Sequence, residues 1–208
     1  MNNNKFYQSL TVDVLDSVAK KTFGENPSSD LEQILKCLHQ GDKILEVGAG
    51  TGRIGIELIK KGFSYTGVEK ENKFLEVFKK KLKNIKYNPD NIQLLNISFE
   101  ELPEDKKLDV ILFSWTVIGD FSKEDQTKIL RKTREMLSKK GVCLLDNPSK
   151  NQKYNAAEFY EPTPFYYEEW VDLLDELGLT HKSIIYKTKT GVERELTILS
   201  KNETGRGL

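Results

Sequence analysis

Lys43-Ile44-Leu45-Glu46-Val47-Gly48-Ala49-Gly50-Thr51-Gly52-Arg53 runs from a short apolar stretch straight into alternating glycines. An apolar run of this length bounded by glycine reads as a buried strand. The glycines let the backbone turn tightly and approach a ligand that a Cβ would push away. A helical pattern follows, carrying Ile54, Leu58 and Ile59. The loop therefore feeds a helix N-terminus, whose free N–H groups and positive dipole end suit an anionic or strongly polar group.

Outward from this point the pattern alternates. Phe63 to Val68 reads as a second strand, and Phe74, Leu75, Phe78 and Leu82 mark a second helix. Ile92 to Ile97 and Asp109 to Phe113 read as strands three and four. Ser122 to Asp125 opens a helix as a capping box, with Ile129, Leu130, Thr133 and Leu137 on its inner face. Gly141 to Leu145 is a fifth strand. Thr163-Pro164 reads as the N-cap and first residue of a helix lined by Trp170, Leu173, Leu174 and Leu177, which Gly178 ends. Ser183 to Thr188 and Glu193 to Leu199, joined through Thr190-Gly191, form a hairpin. Upstream, the first forty residues read as helical, with Ser29 and Glu32 as a capping box, Leu31, Ile34, Leu35 and Leu38 on one face, and Gly41 as the stop. The expected fold class is α/β: a doubly wound, mostly parallel seven-stranded sheet with a C-terminal antiparallel hairpin and helices on both faces. Ligands of such sheets sit beyond the carboxyl ends of the strands.

The chain has 208 residues, 32 Lys+Arg against 32 Asp+Glu, and 38% apolar residues, which suits a globular domain with a real core. No apolar run approaches the roughly 18 residues of a membrane span; the best, Val110 to Ile118, contains Ser114 and Thr116. The start, Met1-Asn2-Asn3-Asn4-Lys5, has no apolar core of a secretory signal. Cys37 and Cys143 lie too far apart in a pair of only two to suggest a disulfide framework or metal site. Charge balance argues against a partner held by bulk electrostatics, such as nucleic acid. One local exception is the lysine run Lys79-Lys80-Lys81 with Lys83 and Lys86, which keeps an RNA partner open. A cytoplasmic enzyme without membrane attachment or bound metal is the expectation.

The chemistry is sharpened by Glu69, the acid that closes the second strand in Thr66-Gly67-Val68-Glu69. A carboxylate there can accept hydrogen bonds from two ribose hydroxyls, so loop and acid together indicate a nucleoside ligand. Gly50, Gly52 and Gly55 satisfy G-x-G-x-x-G, which leaves a dinucleotide such as NAD formally open. Two details count against it: Gly50 follows the strand two residues late, and Glu46 stands where a pyrophosphate would have to be tolerated. A cationic ligand is favoured beside such an acid.

With these residues the sequence resembles the class I S-adenosylmethionine-dependent methyltransferases. The likeness rests on Ile44 to Arg53, on Glu69, on Leu102-Pro103 before the fourth strand, and on Leu137 to Gly141 leading into the fifth. It covers about residues 40 to 200. The resemblance implies S-adenosyl-L-methionine as cofactor and a domain over residues 41–201, with residues 1–40 a helical cap of the same domain and 202–208 a flexible tail. It further implies cofactor contacts from Glu46, Gly48, Ala49, Gly50, Thr51 and Gly52 in the loop, from Glu69 and Lys70 after the second strand, from Ser98 and Phe99 after the third, and from Ser114 and Trp115 after the fourth. The third of these groups departs from the family pattern, since Ser98 occupies the place of the usual acid, with Asn96 two residues before it.

Methyl transfer from a sulfonium needs alignment and exclusion of water more than a catalytic motif, and no catalytic residue is legible. The acceptor is expected to be a small molecule methylated on nitrogen or oxygen. Candidate acceptor contacts are Trp115, Asp146 and Asn147 at strand tips, and Tyr154 and Tyr160 in an aromatic-rich segment with Phe159, Phe165, Tyr166, Tyr167 and Trp170. Tyr7 is a further candidate to close over the cofactor, whereas His39 and His181 read as helix-end residues. An RNA or protein methyltransferase, a non-catalytic cofactor-binding module and an NAD-dependent oxidoreductase stay open beside this reading.

Overall fold

A computed structural model describes residues 3–25, 27–152 and 162–201. Seven strands form one sheet in the order β3-β2-β1-β4-β5-β7-β6: β1 Lys43–Val47, β2 Ser64–Val68, β3 Ile92–Leu95, β4 Leu108–Phe113, β5 Leu137–Pro148, β6 Thr180–Lys187 and β7 Glu193–Ser200. The first five strands are parallel, and β7 runs antiparallel to both β5 and β6. Helices α1 Asn3–Ser9, α2 Val12–Phe23 and α3 Ser29–Lys36 precede the sheet. Helices α4 Gly55–Lys60, α5 Asn72–Leu82, α6 Lys123–Met136 and α7 Val171–Glu176 connect its strands. The doubly wound α/β architecture expected from the alternating pattern is the one found. Among the described residues no helix is long and apolar enough to cross a membrane.

The parallel strands read as unbroken apolar runs because both of their faces are buried. Val110 and Leu112 of β4 point into a core shared with Leu31 and Ile34 of α3, Leu58 of α4 and Phe78 of α5. Ile111 and Phe113 point the opposite way, into a core with Ile129 and Leu130 of α6 and Leu174 of α7. Each face thus carries its own hydrophobic layer, and the period of two along β4 divides its residues between them.

Ser122 caps α6 as expected, its hydroxyl accepting the Asp125 amide at 3.2 Å. Three expectations are corrected. Ser28, not Ser29, is the N-cap of α3; the Ser29 hydroxyl instead donates to Phe23 O at 2.8 Å and accepts the Lys189 amide at 2.8 Å. Leu137 has left α6 and begins β5, pairing with Leu108. Thr163-Pro164 does not open a helix: the Thr163 amide donates to Gly119 O at 2.7 Å, its carbonyl accepts Gln126 Nε2 at 2.7 Å, and α7 starts only at Val171. Tertiary hydrogen bonds claim the Thr163 backbone that a helix would have used.

The sheet order reverses between β1 and β4, where the chain leaves β1 to one side and β4 to the other. That switch point is where a doubly wound sheet opens a crevice. The N-terminal helices lie over it, held by the far hairpin: Thr190 Oγ1 donates to Thr22 O at 2.6 Å, and Lys189 Nζ donates to Pro27 O at 2.6 Å.

Candidate functional site

At the β1/β4 switch point a cavity of about 810 Å³ opens, floored by the loop after β1 and roofed by Tyr7 of α1 and Leu15, Asp16 and Ala19 of α2. Its volume falls in the roughly 300–1,000 Å³ range of small-molecule sites. The loop is fixed by its own hydrogen bonds. Ala49 N–H donates to Val68 O at 3.0 Å, Gly52 N–H to Ala49 O at 3.0 Å, and Gly50 N–H to Glu69 Oε2 at 2.9 Å.

Two glycines have no substitute. Gly52, at φ +83°, lies so close to the α5 helix that a Cβ would meet Phe78 Cδ2 at 2.4 Å. Gly48, at φ +67°, would place a Cβ 2.8 Å from Val117 Cγ2. The loop after β1 and the turn after β4 are therefore in direct contact.

Glu69 is buried and lines the cavity. Its second oxygen, Oε1, accepts the Glu71 amide at 2.8 Å. Burial raises the carboxyl above its ordinary value, while the Glu71 and Gly50 amides pull it back. Asn96 secures the turn behind it, donating from Nδ2 to Glu69 O at 2.8 Å and Lys70 O at 3.0 Å. The oxygens of Glu69 are thus oriented and keep lone pairs for hydroxyl donors.

Glu46, at the tip of β1, also lines the cavity. Its Oε2 accepts Tyr65 Oη at 2.5 Å and its Oε1 accepts Ser114 Oγ at 3.0 Å. Burial pushes this carboxyl up to about 7, against those two hydrogen bonds and the charge of Arg53. Arg53 itself clasps Asp30 of α3 with both terminal nitrogens, at 2.8 and 2.6 Å. Burial opposes ionisation of Asp30, but Arg53 outweighs it and holds the carboxyl below its usual range. The same guanidinium stacks 4.5 Å above the Phe23 ring. Thr51 joins the floor to the roof by donating to Asp16 Oδ1 at 2.6 Å.

The turn after β4 is strained. Trp115 at φ +48° and Thr116 at φ +66° are the non-glycine residues with positive φ among those described, and such residues cost on the order of 1–3 kcal/mol each and persist only where surroundings hold them. Trp115 lines the cavity with its indole edge-on to Phe23, ring centroids 5.9 Å apart.

Of the residues singled out from sequence, Glu46, Gly48, Ala49, Gly50 and Thr51 line the cavity. Glu69, Lys70, Ser98, Phe99, Ser114 and Trp115 line it as well. Gly52 does not; it packs underneath. Asp146 and Asn147 do not line it either, and both are fully buried. Asp146 is held by Arg194 Nη2 at 2.7 Å and Tyr186 Oη at 2.7 Å, and Asn147 Oδ1 accepts the Phe165 amide at 3.3 Å. The structure thus does not bring either side chain to the cavity wall. Tyr154 and Tyr160 lie outside the described residues. Tyr7 donates to Asp120 Oδ1 at 3.3 Å across the cavity mouth. His39 and His181 are exposed and away from the cavity.

Sequence reasoning missed Asp16 and the Arg53–Asp30 and Arg194–Asp146 pairs. The signal for the last was an arginine, Arg194, in a strand whose neighbours are otherwise buried; Asp30 offered none.

A family model described as a methyltransferase domain matches residues 38–198. The type II methyltransferase M.HinfI of Haemophilus influenzae is 34% identical over 89 residues, 42% of this chain and 25% of that protein. The ribosomal RNA small subunit methyltransferase A of Mycoplasmopsis synoviae is 29% identical over 91 residues, 42% of this chain and 35% of that protein. The chain spans about a quarter to a half of the length of the curated relatives it matches. Among solved structures, the 1,6-didemethyltoxoflavin-N1-methyltransferase of Burkholderia thailandensis, with 1,6-didemethyltoxoflavin and S-adenosylhomocysteine bound, shares the fold at a TM-score of 0.74 and 16% identity, over 97% of this chain and 87% of that one.

Proposed function

The chain belongs to the methyltransferase domain family, and from that premise we propose that it transfers a methyl group from S-adenosyl-L-methionine to a nitrogen or oxygen of a small-molecule acceptor. The donor supplies a methyl group already activated on a sulfonium. Glu69 accepts the ribose hydroxyls, Glu46 offers negative charge to the cationic end, and Ser98 and Phe99 border the adenine. The residues present fit this group: a Cβ at Gly50 would meet nothing closer than 3.9 Å on the side that lines the cavity, and the acids suit a cation.

The hydrogen bonds of the glycine loop favour this donor over a dinucleotide. A pyrophosphate is held by free loop amides, but here the amides of Ala49, Gly50 and Gly52 are already bonded to Val68, Glu69 and Ala49. The observation that carries the choice of a small acceptor is the roof: α1 and α2 close the cavity over the loop. Alignment within a water-poor chamber is what an in-line displacement requires of the protein.

An RNA acceptor draws support from the ribosomal RNA methyltransferase among the relatives. Against it, Lys79 pairs with Glu76 and Lys81 with Asp16, and no residue from 79 to 86 lines the cavity.

Calorimetry with S-adenosylmethionine, S-adenosylhomocysteine and NAD tests the donor, with binding of the first two and not the third as the expected result. Mass spectrometry of a panel of amines, phenols and short RNAs incubated with donor then tests the acceptor. Methylation confined to RNA would overturn the small-molecule reading, and donor binding without any methylated product would favour a binding module.

A further inference from the structure

Asp146 sits at the end of β5, a strand away from the cavity, yet it touches the turn that lines it. Its Oδ2 accepts the Trp115 amide at 3.1 Å, and its backbone oxygen accepts the Thr116 amide at 2.7 Å. Arg194, from antiparallel β7, grips the same carboxylate through Nε at 3.1 Å and Nη2 at 2.7 Å. The Nη2 atom also donates to Thr116 Oγ1 at 3.0 Å. Asp146, Thr116 and Arg194 are 0, 1 and 2% exposed, so water does not compete for these bonds.

The knot encloses the two left-handed residues, Trp115 and Thr116. A tryptophan and a β-branched residue do not adopt that conformation in succession unless their amides are claimed from outside. Here each amide is bonded to a different atom of Asp146. The result turns the Trp115 indole toward Phe23 and the cavity, beside Ser114, which bonds Glu46, and near Val117, which packs on Gly48. The Phe23 ring is gripped from below by Arg194 as well, 5.0 Å from its guanidinium carbon. Trp115 thereby forms part of the cavity wall, next to Ser114, which bonds Glu46.

We infer that Asp146, clasped by Arg194, is a positioning residue for the acceptor: it fixes the left-handed Trp115–Thr116 turn and so sets the indole wall against which the acceptor lies. This rests on the methyltransferase reading, since the wall has a substrate to orient only if that reading holds. Asp146 touches no substrate. Its effect reaches the reaction through the orientation of Trp115, and it leaves the ribose and adenine contacts of Glu69, Ser98 and Phe99 unaltered.

The chain has two tryptophans, so a Trp170→Phe background leaves Trp115 as its sole indole. In that background Asp146→Asn, which keeps the shape but loses the charge that binds Arg194, is compared with Thr116→Val, which keeps the shape and removes the hydroxyl that Arg194 Nη2 bonds. The valine variant is the safeguard should the asparagine variant fail to fold. Expected for both are red-shifted Trp115 emission, greater quenching by acrylamide, and S-adenosylhomocysteine affinity within twofold of the background. With an amine or phenol that the parent methylates, KM for that acceptor is expected to rise about tenfold or more and kcat to change less. Unchanged emission and quenching in folded variants would overturn the inference, and so would an equal loss of donor affinity, which would make the knot a general support of the fold. If the parent bound no donor or methylated nothing, the methyltransferase reading would fall, while the emission would still decide whether Asp146 holds Trp115.

Discussion

Glu69 and Gly50 are joined by a 2.9 Å hydrogen bond from the Gly50 amide to the Glu69 carboxylate, so the acid proposed to meet the ribose also pins the glycine loop. Replacing Glu69 with alanine removes both functions. We expect S-adenosylhomocysteine affinity to drop about 10- to 100-fold, the scale of losing one or two charge-assisted hydrogen bonds. Glu69→Gln keeps one acceptor oxygen and is expected to fall in between. Calorimetry reads both, and an alanine variant with parental affinity would refute the ribose assignment.

If Glu46 faces the cationic end of the donor as proposed, donor binding is expected to depend on pH. Burial lifts its carboxyl from an ordinary 4.5 to about 7, so below that pH the group is protonated and neutral. A cationic donor prefers the ionised form, and its affinity is expected to rise as pH increases through about 7. The stability contribution has the opposite slope. The folded protein holds this proton more tightly than the unfolded chain, so Glu46 subtracts stability as pH rises from about 4.5 to 7. Glu46→Gln should flatten the affinity profile, and its melting temperature relative to the parent should improve as pH rises over that window. Parallel titration profiles for parent and variant would contradict the assignment.

Gly52 is constrained twice, by its positive φ and by Phe78. Gly52→Ala is expected to cost roughly 1–2 kcal/mol for the left-handed backbone and about 1–3 kcal/mol for the clash. At about 2–4 °C per kcal/mol for a chain of this size, Tm should fall by roughly 4–20 °C. Adding Phe78→Leu should recover the clash and leave the backbone cost. A double variant melting no higher than Gly52→Ala would show that the ring is not the obstacle.

Arg53→Met strands the Asp30 carboxylate, which is 1% exposed, without its partner. Breaking a buried pair from one side costs about 3–5 kcal/mol, so denaturant unfolding should show a loss of that order at neutral pH. Because Arg53 holds the Asp30 carboxyl low, the pair's contribution is present above the ordinary aspartate range and fades as pH falls through the depressed value. Parent and variant should therefore converge in acid. A gap that stayed constant down to strongly acidic pH would rule out Asp30 as the cause.

What could be read from sequence was what local chemistry writes. Glycines next to an apolar run, followed by an acid after the next strand, announced the loop, Glu69 and the parallel sheet, because those features depend on neighbours in the chain. The Ser122 cap was legible for the same reason. The pairing of Asp146 was not legible, because its tip position suggested a ligand contact and Arg194 arrives from an antiparallel strand 48 residues later. Thr163-Pro164 carries a sound helix-start signal that loses to Gly119 and Gln126, which only the fold brings near. The Ser29 hydroxyl was assigned to its own helix and serves the hairpin turn instead, at a separation of 160 residues.

That last contact sets an order of events. The corner between α2 and α3 is fastened by Lys189 and Thr190, across sequence separations of 160 to 168 residues. Closures of such length come late in folding, and during synthesis, at about 5–20 residues per second, the corner must wait until the hairpin has emerged. A nascent chain that has reached β5 already carries the glycine loop, Glu46, Glu69 and the Thr51–Asp16 bond to α2, but the corner between α2 and α3 still lacks the hold of the hairpin. The last fastening of the corner beside the cavity thus comes from the part of the sheet that is made after the glycine loop and its two acids.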